Sequence, residues 1–255
     1  MHVTHVPFIA VLLVALVACQ TVPVTGRSQL VLLPESTELS MGLDAYQQII
    51  QKSTITRDPA LNATVTRVGR RIADATGRTD YKWEFKVIED KQVNAFALPG
   101  GKVAVYTGIL PVTRDDAGLA AVLGHEVSHA IARHSGERVS QQLALQLGAG
   151  AAELMLAGRD PRLMQLGTTA FMGLAQGGLL AFSRAQESEA DHLGLVYMAK
   201  AGYHPGAARD LWVRMAQASS GARPPEFLST HPSPETRIQQ IEGWIPEALR
   251  YYTAR

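Results

Sequence analysis

Two histidines and one glutamate lie close together in the chain and have the chemistry of a metal site. Residues 123–130 read LGHEVSHA, so His125 and His129 are four positions apart. Side chains at this spacing lie about 40° apart around an α-helix, so two imidazoles can bind one metal ion. Glu126 follows the first histidine and can reach a water on that metal, as the glutamate of the H-E-x-x-H zinc motif does. The stretch predicts part of a catalytic zinc site.

A second polar stretch, residues 183–194 with the sequence SRAQESEADHLG, supplies carboxylates. Glu187 and Asp191 are four positions apart and share one helix face. Glu187 as third protein ligand completes a site for one zinc ion and leaves a fourth position for water. Asp191 is expected to accept the N–H of a ligating histidine and fix its tautomer. Glu189 points to another side of the helix and is expected to be exposed; an ordinary charged helix face is the alternative for this stretch.

Composition excludes several classes of protein. The chain has 255 residues, of which 46% are hydrophobic, so it can bury a substantial core and is expected to form one domain. Its formal net charge is only +1, and no cluster of lysine and arginine is present. We therefore expect no nucleic-acid partner, because binding a polyanion requires such a cluster.

The N-terminus has the pattern of a bacterial lipoprotein. An apolar run over residues 7–17 is followed by LVAC, which ends in Cys19, the single cysteine. We expect a signal peptide over residues 1–18, a lipid on Cys19 and a membrane-anchored tether over residues 19–33, followed by one domain over 34–255. A plain signal peptide or a buried free cysteine is the alternative. Gln20 after the cysteine favours the periplasmic side of the outer membrane.

Hydrophobic periodicity predicts a mainly α (α+β) fold. Helical patterns begin near residue 34 and at residue 61, the second ending at Gly77. Apolar alternation at 83–87 and 103–107 predicts two strands of a small antiparallel sheet, joined by a turn at 94–102. The edge of this sheet could bind an extended polypeptide, although an ordinary hairpin is the simpler interpretation.

The central helix and the segment after it complete this outline. Asp115 is the expected N-cap of a helix that reaches about His134 and stops at Ser135 and Gly136. His134, five positions after His129, is expected at the surface or at the helix end. The uncharged run over residues 163–183 is diluted by glycine, threonine and glutamine, which favours a mobile cover or a buried hairpin over a membrane span.

Four blocks of the sequence resemble those of one peptidase family. The blocks are NAFALPGGKVAVYTGIL, AAVLGHEVSHAIARH, SRAQESEADHLG and STHPSPETRI. They resemble the gluzincin zinc metallopeptidases, the family that contains HtpX, BepA, LoiP and the CAAX prenyl proteases. The lipoprotein pattern and the lack of several membrane spans are most similar to its periplasmic LoiP-like branch. The resemblance implies a zincin-type domain with helices around the H-E-x-x-H helix.

The resemblance also implies roles for individual residues. It agrees with the residue pattern that His125, His129 and Glu187 hold one Zn²⁺, with Glu126 as the base and Asp191 behind the ligands. It adds His231 and Arg237, from the block STHPSPETRI, as regulatory or substrate-positioning residues. The matching histidine in related proteins can approach the zinc and hold the enzyme latent; without the resemblance, His231 would be an ordinary loop histidine before a proline.

The function expected from these features is a zinc metalloendopeptidase that hydrolyses unfolded or misassembled cell-envelope proteins. The alternative is a chaperone or assembly factor for outer-membrane proteins, which uses the same groove with little turnover. Contact with the outer-membrane assembly machinery is possible under either function. Metal storage or sensing is disfavoured, because the expected site keeps an open position for water.

Overall fold

The structure is a computed structural model that describes residues 19–147, 160–175, 183–219, 227, 231 and 236–254. This part of the chain is mainly helical with two small sheets, which confirms the expected fold class. The strands are β1 (Cys19–Thr21), β2 (Ser28–Leu30), β3 (Glu84–Ile88), β4 (Ala95–Leu98) and β5 (Lys102–Tyr106). The helices are α1 (Glu35–Lys52), α2 (Pro59–Thr76), α3 (Leu110–Thr113), α4 (Asp116–Ile131), α5 (His134–Leu147), α6 (Pro161–Ala175), α7 (Arg184–Lys200), α8 (Gly206–Ser219) and α9 (Arg237–Ala248).

Local sequence signals define both ends of α2. The Asp58 side chain accepts hydrogen bonds from the backbone N–H groups of Ala60 and Leu61, and Pro59 occupies the first turn. Gly77 ends the helix in the left-handed conformation, with φ of 74°. These are the usual caps of an α-helix, and they confirm the helix predicted from periodicity.

The three-stranded sheet is mixed, and the prediction of an antiparallel sheet with a long turn was wrong. Its strand order is β3-β5-β4, with β3 parallel and β4 antiparallel to β5. Residues 95–98, expected within the turn, form strand β4. The chain reverses over a shorter stretch because Gly100 and Gly101 adopt φ of 81° and 80°, which side chains disfavour. The preceding apolar residues can then pair with β5, and β3 pairs with the other side of β5.

The segment after Cys19 was expected to be an irregular tether, but it contains a β-hairpin packed on the domain. Strands β1 and β2 pair antiparallel, with Cys19 opposite Leu30. Val22, Val31 and Leu33 are buried in the hydrophobic core. Burial of these apolar side chains stabilises the hairpin against the domain, so its conformation depends on distant residues. The expected signal peptide, residues 1–18, lies outside the described residues.

Helix α4 carries the H-E-x-x-H motif through the centre of the molecule. Asp115 caps it as predicted, since its side chain accepts a hydrogen bond from Gly118 N–H. Every residue from Gly118 to Ile131 is buried. The helix ends earlier than expected, because Arg133 adopts a positive φ of 56° and α5 starts at His134. The predicted stop at Ser135 and Gly136 was therefore wrong.

The expected cover over residues 163–183 is described only in part. Helix α6 packs on α1, with Leu163 buried in the same cluster as Met41. Residues 176–182 lie outside the described part of the chain. Across the helices that the structure describes, none combines the length and the apolar character needed to cross a bilayer.

Helices α4 and α7 touch through their backbones. A Cβ on Gly194 would lie 3.0 Å from backbone atoms of Gly124 and His125, and a Cβ on Gly124 would lie 3.0 Å from the Gly194 carbonyl oxygen. Only residues without a side chain allow this approach. The contact brings the helix of the two histidines against the helix of Glu187 and Asp191.

Replacing Gly194 with alanine should therefore force α4 and α7 apart. We expect Gly194→Ala to lower the free energy of unfolding by about 1–3 kcal/mol, as overpacking does. Gly243→Ala is the matched control, because a Cβ at this position in α9 meets nothing within 4 Å and alanine favours a helix by up to about 1 kcal/mol. Urea denaturation of both variants measures the difference, and equal stability would contradict the close contact.

Candidate metal centre

Four buried side chains from three parts of the chain meet at one point. His125 and His129 come from α4 and Glu187 from α7, whereas His231 lies between α8 and α9 in the chain. One potential ligand atom from each lies within 4.8 Å of the others. The two histidines of the motif and Glu187, expected together from sequence, are indeed adjacent, and His231 joins them.

The distances in this cluster fit a tetrahedral metal site. His125 Nε2 lies 3.1 Å from His129 Nε2, 3.4 Å from Glu187 Oε2 and 3.2 Å from His231 Nδ1. Glu187 Oε1 lies 3.3 Å from His129 Nε2 and 3.0 Å from His231 Nδ1. A tetrahedron with ligand bonds of about 2.0–2.1 Å has edges of about 3.3 Å. The five distances, which involve both carboxylate oxygens of Glu187, lie close to this value, and the nitrogen and oxygen donor set is one that zinc takes.

Asp191 and Arg237 lie directly behind these ligands. Asp191 Oδ1 is 2.9 Å from His125 Nδ1, as expected, so His125 donates this N–H and directs Nε2 into the cluster. The buried Arg237 guanidinium lies 2.7 Å from Asp191 Oδ1 and 3.2 Å from Glu187 Oε2. Its other face lies 3.3 Å from the ring centroid of Trp212. Arg237 thus connects two carboxylates, and its single positive charge offsets part of their negative charge.

His129 is supported from behind by a second histidine. His134 Nδ1 lies 2.9 Å from His129 Nδ1, and His134 Nε2 lies 2.9 Å from Glu189 Oε2. The predicted positions of His134 and Glu189 were wrong, because both side chains are buried. Because the helix breaks at Arg133, His134 does not have the direction that a continuous α4 would give it. Glu189 is covered by Arg27 of the N-terminal hairpin, which lies 2.7 Å away.

Burial and charge set the protonation of the histidines. Burial lowers the pKa of His129 well below its usual value and outweighs the attraction of Glu187, so this ring is neutral. Burial also lowers the pKa of His134. For His125 burial acts in the same direction, but the charge of Glu187 and the contact with Asp191 raise its pKa to about 9. A positive charge, whether a proton or a metal ion, is therefore favoured beside His125.

The pKa values of the two glutamates of the site are shifted in opposite directions. For Glu187, burial is outweighed by the charges of His231 and His125, which hold its pKa well below the usual value. For Glu126, burial dominates and raises the pKa. Glu126 Oε1 is buried and has no hydrogen-bond partner within the described part of the chain, and it lies 3.4 Å from His231 Nε2. Glu187 is thus a stable anion, and Glu126 is a stronger base with one oxygen facing the cluster.

The centre is closed to solvent in this conformation. His125, Glu126, His129, Glu187 and His231 are each at most 2% exposed. An open cleft of about 470 Å³ between α1 and α6 is lined by other side chains, mostly glutamine and threonine. This cleft includes none of the clustered residues.

Phe227 and His231 contribute to this closure. The Phe227 ring stacks on His231 with centroids 4.4 Å apart, and it lies 5.8 Å from Trp212. The backbone N–H of Phe227 donates to the carbonyl of Val93 just before β4, and His231 N–H donates to the Phe227 carbonyl. Sequence patterns do not single out Phe227, Trp212 or Arg27, because isolated apolar and basic residues carry no spacing signal. His134 could have been selected from its closeness to the motif.

Comparison with known proteins places these residues in a family. A model of peptidase family M48 matches residues 59–245, which include both helices that carry the expected ligands. The mitochondrial metalloendopeptidase OMA1 of Schizosaccharomyces pombe is 40% identical over 233 residues, covering 89% of this chain and 66% of that protein. The OMA1 protein of Saccharomyces cerevisiae is 32% identical, covering 90% of this chain and 70% of that protein.

A bacterial relative shows similar coverage of this chain. The beta-barrel assembly-enhancing protease of Yersinia pestis is 29% identical over 236 residues, covering 91% of this chain and 49% of that protein. This chain thus spans between about half and seven tenths of the length of these three relatives. The match extends through the H-E-x-x-H helix and the helix of Glu187, so the chain belongs to peptidase family M48, as its resemblance to the gluzincin metallopeptidases predicts.

Proposed function

We propose that this chain is a zinc-dependent endopeptidase with His125, His129 and Glu187 as the zinc ligands. The observation that carries the proposal is the spacing of these donors, which is close to that of a zinc site, beside the buried Oε1 of Glu126. This oxygen has no hydrogen-bond partner among the described residues and lies 3.4 Å from His231 Nε2. A closed structural zinc site would not need a buried carboxylate oxygen directed at the ligands. A catalytic zinc site does need such a carboxylate, because it acts as the general base.

Glu126 is the group that moves protons in this proposal. A zinc ion held by the three ligands would polarise the scissile carbonyl and make a water more acidic. Glu126 Oε1 accepts the proton of the attacking water and then delivers it to the nitrogen of the leaving amine. Its raised pKa suits the first step, because a more basic carboxylate accepts a proton from water more readily.

Strand β4 is the element on which we place the substrate. It is an edge strand of its sheet, and the backbone N–H of Ala97 in β4 interacts with Glu126. An extended polypeptide that paired with β4 would therefore present an amide bond beside Glu126. This arrangement favours unfolded segments over folded proteins, because only an extended backbone can add to the sheet.

We further propose unfolded or misassembled proteins of the cell envelope as the substrates. The name of the Yersinia pestis relative, a beta-barrel assembly-enhancing protease, supports this class and a link to the outer-membrane assembly machinery. The lipoprotein pattern ending at Cys19 supports a lipid anchor on the periplasmic side of the outer membrane. The two yeast relatives are mitochondrial by name, so the choice of compartment depends on this pattern.

A chaperone or assembly factor with little turnover is the second candidate function. The burial of the whole centre favours it, because a closed site hydrolyses slowly. Complementation of an envelope-assembly defect by an inactive variant would support this candidate over the endopeptidase.

Changing Glu126 to glutamine tests the endopeptidase. We expect Glu126→Gln to keep one zinc per chain and to reduce casein hydrolysis by more than about 100-fold, the usual contribution of a general base. Glu89→Gln is the control, since Glu89 is exposed outside the cluster. Zinc content by elemental analysis and cleavage of labelled casein are the measurements. Wild-type cleavage by Glu126→Gln would refute the mechanism.

His231 is proposed to keep the enzyme latent. Its Nδ1 lies 3.2 Å from His125 Nε2 and takes the fourth corner of the ligand tetrahedron, where water would otherwise sit. Because this nitrogen competes with water, His231→Ala should raise the initial rate of casein cleavage several-fold. His204→Ala, which removes an exposed imidazole, is the control. A zinc-loaded His231→Ala variant with a lower rate would instead indicate that His231 positions the substrate.

Arg237 is proposed to hold the two carboxylates of the site in place. Arg237→Gln leaves Asp191 and Glu187 buried without a cation, which should lower the free energy of unfolding by about 3–5 kcal/mol. Arg209→Gln removes an exposed ion pair and should change little. Urea denaturation measures both variants. An equal effect of the two changes would show that Arg237 is not needed to balance the buried charges.

A further inference from the structure

We propose that the N-terminal hairpin, residues 19–33, is part of the metal centre, with Arg27 and His134 as positioning residues for His129. The inference rests on the proposed function in one respect, namely that His129 binds the metal. A chain of contacts leads from the hairpin through Glu189 and His134 to His129.

The contacts between the two histidines determine the tautomer of His129. His134 Nε2 faces Glu189 Oε2 at 2.9 Å, and a carboxylate accepts hydrogen bonds, so His134 carries its proton on Nε2. Nδ1 of the neutral ring is then an acceptor. His129 Nδ1, 2.9 Å away, must donate to it. His129 therefore carries its proton on Nδ1 and offers the lone pair of Nε2 to the metal.

Glu189 is held in turn by the hairpin. Arg27 Nε lies 2.7 Å from Glu189 Oε2, and the Thr25 hydroxyl contacts Glu189 Oε1. Arg27 also contacts Glu137 Oε2 at 3.1 Å through Nη2, so its guanidinium connects α7 to α5. Both carboxylate oxygens of Glu189 thus bind groups from the hairpin, and these contacts fix the oxygen that faces His134.

The hairpin is itself attached to the end of α4. Gln29 Nε2 donates to the carbonyl of Ala132 at 2.6 Å, at the break between α4 and α5. Arg133 contacts Gln20 from the same break and forms a buried ion pair with Glu38. The hairpin therefore holds both the backbone that positions His134 and the carboxylate that orients its ring. A tether that only linked the domain to a membrane would need neither contact.

Zinc affinity of the full-length chain tests the proposal without measuring catalysis. Mutation of a residue that hydrogen-bonds to a metal ligand typically weakens metal affinity by about 10- to 100-fold. We expect Arg27→Gln to weaken zinc binding about tenfold and His134→Phe to weaken it more, as measured by competition with a chelator. His134→Asn should recover part of the loss, because its amide oxygen can accept from His129 Nδ1. Arg67→Gln, which removes an exposed pair with Asp116 on α4, should have wild-type affinity.

Nitrogen-15 NMR of the wild-type protein after chelator treatment gives a second readout that needs no variant. The proposal requires the proton of His129 on Nδ1, and a proton on Nε2 would overturn it. Wild-type zinc affinity in folded Arg27→Gln and His134→Phe, judged by circular dichroism, would also overturn it. A wild-type chain that binds no zinc would refute the proposed function instead, and the NMR result would still decide the tautomer.

Discussion

The backbone contact between α4 and α7 at Gly124 and Gly194 is the constraint on which the rest of the site depends. The two imidazoles belong to one helix and the carboxylates to the other, so their separation is set by the distance between the helix axes. A side chain at either glycine would widen this distance, and a ligand cluster tolerates little widening because metal–ligand bonds vary by only about 0.2 Å. The small residues are thus as much a part of the metal centre as the polar ones.

The second requirement is that buried polar groups have partners. The centre places several imidazoles, carboxylates and guanidinium groups where water is excluded, and an unpaired group there destabilises the fold. Asp191 and Arg237 provide polar partners for His125 and Glu187. His134 provides one for His129, and it is supported in turn by Glu189 and Arg27. Each motif histidine therefore has its own support. Among the described residues Glu126 Oε1 has no hydrogen-bond partner, and it lies 3.4 Å from His231 Nε2 in the ligand cluster.

The same burial that orders the centre also restricts its use. Phe227 stacks on His231, and the backbone of Phe227 is hydrogen-bonded next to the start of β4. The proposed substrate strand would lie beside β4, so Phe227 and His231 occupy the side from which an extended chain approaches. The proposed latency therefore requires that a substrate or partner displaces these residues before cleavage.

The sequence by itself determined the features that depend on local spacing. Helix periodicity, the ends of helices at Gly77 and Asp115, and the four-residue spacing within the two motifs follow from backbone geometry, and the structure has them where predicted. The convergence of His125, His129 and Glu187 was also expected, because the two histidines need a third protein ligand to form a catalytic zinc site. Resemblance to a family added His231 and Arg237.

Only the tertiary structure decided how segments distant in the chain meet. The direction of β3 depends on which side of β5 it pairs with, and apolar alternation is the same for parallel and antiparallel neighbours. Glu189 was expected to be exposed, and His134 was expected at the surface or at the helix end, because the prediction extended one straight helix and one exposed face. The left-handed Arg133 and the hairpin carrying Arg27 changed both. A helical spacing fixes an angle around its own axis, but burial depends on what packs against that face.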